Sequence, residues 1–87
     1  MIRESRENNG SIYRVILAND GDFFLIYMLK NIDSWRPEED WSADSWERAT
    51  EICELKWGVP PDSWRELTDY STIKWLKVEP FLEKESE

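Results

Sequence analysis

Four carboxylates crowd into the seven residues from 38 to 44: Glu38, Glu39, Asp40 and Asp44. Oxygen ligands at that density can hold Mg²⁺, and a pair of them can divide acid and base roles. Asn19-Asp20-Gly21-Asp22 has the oxygen-rich opening of a calcium loop, and Glu54-Leu55-Lys56 supplies one half of a nuclease-type Pro-Asp…Glu-x-Lys arrangement. Each pattern falls short. No glutamate follows the first at the spacing a calcium loop needs, and Pro61-Asp62 comes after Glu54-Leu55-Lys56, in the wrong order. The chain has no histidine, which removes the usual general base, the Ser-His and Cys-His dyads and most zinc or copper sites. Gly10, Gly21 and Gly58 are its only glycines, too few and too scattered for a phosphate-cradling loop. Cys53 stands alone in mid-helix, where a thiol serves as a small buried hydrophobe. The expectation is a protein that is not an enzyme and that uses no metal and no cofactor.

What remains is a field. Residues 31–69 carry eleven acidic side chains against four basic ones, so −7 of the total charge of −8 resides there. Five of the six tryptophans, Trp35, Trp41, Trp46, Trp57 and Trp64, lie in the same span, while residues 1–30 are neutral. Lysines and arginines scattered among acids do not make a phosphate-binding surface, so direct nucleic-acid binding is disfavoured. With the sign reversed, carboxylates around exposed indoles complement a basic groove: the acids steer the encounter and pair with arginine, and the rings attract cations. The candidate partner-binding residues are Trp35, Glu38, Glu39, Asp40, Trp41, Glu47, Glu51 and Glu54. The expected function is a small acidic module that blocks or neutralises a basic, nucleic-acid-handling protein, as immunity proteins, antitoxins and phage-type inhibitors do. That comparison rests on size and charge, with no shared motif.

The elements that position these residues follow from periodicity. At 87 residues, 40% hydrophobic and 14% aromatic, the chain suits a single folded domain over 1–87. Ser11–Leu17 and Phe23–Leu29 are β-branched and aromatic runs around Asp20-Gly21, which predicts a type I′ hairpin with paired positions summing to 41 and Arg14 opposite Tyr27. Tyr13, Val15, Leu17, Phe24, Ile26 and Met28 then form one apolar face, assigned to the core. Ile12, Arg14, Ile16, Phe23, Leu25, Tyr27 and Leu29 form a second, which the C-terminal segment, another copy of the chain or a partner must cover.

Residues 31–43 read as a connecting loop. A helix is predicted over 44–57, with Asp44 as N-cap, Glu47 completing a capping box and Gly58-Val59-Pro60-Pro61 as the stop. At 100° per residue Trp46, Ala49, Thr50, Cys53 and Trp57 share its buried stripe, Glu47, Glu51 and Glu54 lie beside it, and Ile52 and Leu55 fall off it. A short helical turn is expected at 62–68 and a third strand over Ile73–Val78, with a short helix as the alternative; residues 1–10 and 83–87 are expected to fray. The predicted fold class is α+β, a small antiparallel sheet packed by one main helix.

Asp-Ser-Trp occurs at 33–35, 44–46 and 62–64. Spacings of 11 and 18 share no repeat period, and the simplest account is local: Asp and Ser cap, and Trp occupies the first turn. The alternative function is a structural or assembly subunit, or homodimer, joined through the apolar second sheet face (Ile12, Ile16, Leu25 and Tyr27) or through Ile52 and Leu55. A charged start and a longest apolar run of seven residues, Phe23–Leu29, predict neither a secretion signal nor a membrane helix, for which about 20 residues are needed. With one cysteine, the expected setting is a reducing cytoplasm.

Overall fold

The computed structural model describes residues 1–82. Five strands, β1 (Ile2–Ser5), β2 (Arg14–Asn19), β3 (Phe24–Leu29), β4 (Glu39–Ala43) and β5 (Arg65–Glu66), form one antiparallel sheet in the order β4-β3-β2-β1-β5. One main helix, α1 (Trp46–Trp57), lies across it; a 3-10 turn at Tyr70–Ile73 and the short α2 (Glu79–Leu82) complete the chain. This is a small α+β fold. Among the described residues, no helix is long and apolar enough to cross a membrane.

The β2–β3 hairpin forms where expected but closes differently. Its pairs run from Arg14↔Leu29 to Asn19↔Phe24, so partners sum to 43 rather than 41 and Arg14 faces Leu29, not Tyr27. The cause is Asp20. Its carboxylate accepts from the amides of Asp22 (3.1 Å) and Phe23 (2.7 Å), and its own amide donates to the Phe23 carbonyl (3.2 Å). The turn centre is therefore Gly21-Asp22. Gly21 has φ of 102° and, among the described residues, no non-glycine residue has positive φ, so the turn needs left-handed backbone only at its first central position, as in a II′ turn. A shift of two residues preserves strand parity, so residues within β2 and β3 keep their predicted faces, whereas Ile12, which precedes β2, packs on the α1 side instead of the second face.

Val15, Leu17, Ile26 and Met28 pack against Ala49, Cys53 and Trp57 of α1 and against Val59, with Phe24 and Trp46 at the margin. Burying each such aliphatic side chain stabilises the fold by about 1.5–3 kcal/mol, more than any surface ion pair. The helix begins one residue later than predicted: Ser45, not Asp44, is the N-cap, its Oγ accepting from the Arg48 amide. Glu47 is thus displaced from the capping-box position. At the other end Gly58 adopts φ of 66°, and the amides of Gly58 and Val59 donate to the carbonyls of Glu54 and Cys53.

The second sheet face is covered by the chain itself. Ile2, Ile16, Ala18 and Leu29 lie under Leu67, Ile73 and Phe81, with Tyr70, Trp75, Leu76 and Val78 partly buried around them. Trp75 meets Tyr27 edge-on, ring centres 5.0 Å apart. The third strand expected at Ile73–Val78 is therefore not there: that stretch crosses the face of the sheet, opened by the 3-10 turn that Asp69 caps through the Ser71 amide. Nor do residues 62–68 form a helical turn. After a turn at 61–62 they extend into β5, which takes the edge beside β1.

Two further corrections come from pairing. Residues 1–10, expected to fray, include β1, held between β2 and β5. Residues 31–43, expected as a loop, end in β4, paired with β3 from Phe24↔Ala43 to Met28↔Glu39. The tail expected at Glu83–Glu87 lies outside the described residues.

Candidate partner-binding surface

The β3–β4 pairing decides where the acidic segment points. Glu39, Trp41 and Ala43 stand opposite Met28, Ile26 and Phe24 and so share the α1 face; Asp40 and Ser42 stand opposite Tyr27 and Leu25 on the other. Between β4 and α1 an open groove of about 650 Å³ is lined by the apolar Trp41, Ala43, Ile52 and Leu55 together with the polar Ser42, Asp44, Arg48 and Lys56. Trp41 is 46% exposed and Leu55 76%, so the groove displays apolar surface. Leu55, off the core stripe of α1, belongs here.

Trp41 is not a bare indole. Its Nε1 donates to Glu39 Oε1 (2.9 Å), and Lys56 Nζ sits 4.3 Å from its ring centre and 3.6 Å from the same Glu39 oxygen. One ring face of Trp41 and one oxygen of Glu39 are thus already engaged by the chain's own cation. Trp35, 74% exposed in the loop before β4, likewise has the Arg36 guanidinium 5.0 Å from its ring. Both indoles are exposed among carboxylates, and each, with one of the chain's own cations already against its ring, offers its remaining surface.

The carboxylates divide more simply. Glu38, Asp40, Glu47 and Glu54 are exposed and, among the described residues, form no ion pair. Glu51 pairs with Arg48 (2.5 Å) on the helix surface, where both side chains are more than half exposed and the contact is worth a few tenths of a kcal/mol. Burial first, and then the Asp40 carboxylate, hold the Tyr27 phenol above its ordinary pKa. Among the described residues no three Cys, Asp or Glu side chains gather into a cluster able to hold a metal ion.

The residues proposed for an oligomer face do not share one. Ile16 is fully buried beneath the C-terminal segment, and Leu25 and Tyr27 are partly covered by it. Ile12 and Ile52 pack against the α1 cluster on the opposite side, leaving Leu55 as the single large exposed side chain of that set. Cys53 is buried, and burial pushes its thiol up to about 12.

The Asp-Ser-Trp triplets occupy three different settings. Ser45 caps α1, Ser34 closes a turn by accepting from the Asn31 amide, and Ser63 Oγ bonds the Pro60 carbonyl and meets Ser5 Oγ at 2.6 Å.

Reasoning from the sequence missed the open edge of β4 and the role of Lys56. The alternation of Trp41 and Ala43 with polar neighbours was the signal for the first. Family models, curated proteins and solved structures contain no match to this chain, so the surface is read from its own geometry.

Proposed function

We propose that this protein binds a basic protein partner through the β4–α1 surface and blocks the partner's nucleic-acid-binding groove. The observation that carries this reading is a segregation of charge. Carboxylates that form no ion pair among the described residues (Glu38 and Asp40 in the β4 segment, Glu47 and Glu54 on α1) lie on the two elements that build the Trp41–Ile52–Leu55 groove, whereas Arg6, Arg14 and Arg65 converge on Glu4 at the far side of the sheet. Exposed acids steer a cationic partner, and an apolar groove with an indole supplies the short-range contact that charge alone lacks.

The test is capture on the immobilised protein, compared with a Glu47→Gln/Glu51→Gln/Glu54→Gln variant, as salt rises from about 0.05 to about 0.3 M. The expected result is a basic protein retained by the parent, released by salt, and displaced from its nucleic acid when the parent is added. Equal retention by the variant, indifference to salt, or a captured protein that keeps its nucleic acid would overturn the reading.

A further inference from the structure

We infer that the outer edge of β4 accepts an extended, cationic segment of the partner as a sixth strand of the sheet. This rests on the proposed function and specifies how the same surface is occupied. Three observations converge. First, β4 is an edge strand whose backbone pairs only with β3; among the described residues no other segment makes a backbone hydrogen bond to residues 39–43, and Asp40, Trp41 and Ser42 are all exposed. A row of unpaired amides and carbonyls is a template for another strand.

Second, the edge is chemically two-sided. On the α1 side an added strand meets the groove of Trp41, Ile52 and Leu55; on the other it meets Asp40. Glu38 and Asp44 flank its two ends. Side chains of a strand alternate between faces, so the matching segment alternates apolar residues with lysine or arginine.

Third, charge excludes the obvious competitor, a second copy. Antiparallel self-pairing centred on Trp41 sets Glu38 of each copy opposite Asp44 of the other and brings the two Asp40 side chains close together. Like charges opposite one another destabilise a sheet, whereas opposite charges stabilise it. Edges are commonly guarded by lysine, proline or a very short strand. This one is guarded by negative charge, a guard that turns away its own kind and admits a cation.

The experiment titrates the full chain with a synthetic peptide of about eight residues alternating lysine and valine, following amide hydrogen exchange. A second peptide is N-methylated at alternate backbone nitrogens, keeping its charge but losing its edge hydrogen bonds. Strand addition requires new protection at residues 39–43 and an affinity at least about tenfold lower for the N-methylated peptide. Asp40→Lys must weaken the parent peptide similarly. Equal binding of both peptides, protection elsewhere than β4, or no binding overturns the inference. If a salt-sensitive partner is nevertheless captured as above, only the docking mode is lost; if capture fails as well, the basic-partner reading falls with it.

Discussion

Glu4 and Asp40 are carboxylates in a single row across the sheet, a row that runs Arg65, Glu4, Ile16, Tyr27, Asp40 from edge to edge. Their surroundings are opposite. Glu4 is buried and has three arginines about it: Arg6 at 3.1 Å, Arg14 at 3.3 Å and Arg65 at 3.8 Å. Arg14 is itself buried and donates to the Thr72 carbonyl, tying the pair to the C-terminal segment that covers it. Asp40 is exposed and, among the described residues, forms no ion pair. A buried carboxylate must be paired or it destabilises the fold, whereas an exposed one remains available to a partner. Residue type does not separate structural from functional charge here. The reach of the C-terminal cover does.

Breaking the buried side of this comparison should have the largest effect. Arg14→Ala leaves Glu4 short of its buried counter-ion and is expected to destabilise the protein by about 3–5 kcal/mol, read as a lower midpoint in urea unfolding. Replacing both partners, as Glu4→Gln with Arg14→Met, should recover most of that loss. An Arg14→Ala protein as stable as the parent would show that the cover is held by apolar packing alone.

Gly58→Ala tests the joint between α1 and the loop after β1. A Cβ there would come 3.0 Å from Asn9 Cβ at φ of +66°, so a loss of about 1–3 kcal/mol is expected by the same measurement. The elevated Cys53 thiol predicts pH behaviour with a definite sign. Because the unfolded thiol ionises first as pH rises, its contribution to stability is complete below about pH 9 and declines until about pH 12. Native Cys53 should accordingly resist alkylation at neutral pH and react readily in urea.

On the exposed side, Glu47→Gln/Glu51→Gln/Glu54→Gln should change stability by no more than about 0.5 kcal/mol per site while flattening the salt dependence of partner binding. Lys56→Gln is expected to have the smallest effect and the opposite sign. Removing the cation from Trp41 and Glu39 should tighten a basic partner by a few-fold, measured by calorimetric titration. Weaker binding would mean that Lys56 acts by holding Trp41 in place.

Much of the scaffold was legible because its signals are local. The hairpin was carried by two β-branched runs around a turn, and its faces survived an error in register because the error was even. The helix was carried by its apolar stripe and by Gly58; its start slipped by one residue because Asp44 and Ser45 are both good caps. β1, β4 and β5 were illegible for a shared reason. They are two to five residues long and rich in charge, and pairing with a neighbour rather than intrinsic preference makes them strands. At the surface, the exposure of Trp35, Trp41 and the α1 glutamates followed from their positions. The return of Lys56 to Trp41 did not, since it depends on where an unforeseen strand lies against the helix.

β5 extends for only two residues, and that brevity limits how the protein can assemble. Head-to-tail polymerisation through a sheet needs two adhesive borders, one to receive and one to be received. Among the described residues only β4 offers a border long enough, so a guest seated there would find no matching berth at the opposite margin. On the proposed docking mode, the expected complex therefore holds one host and one guest, and no fibre is expected to grow.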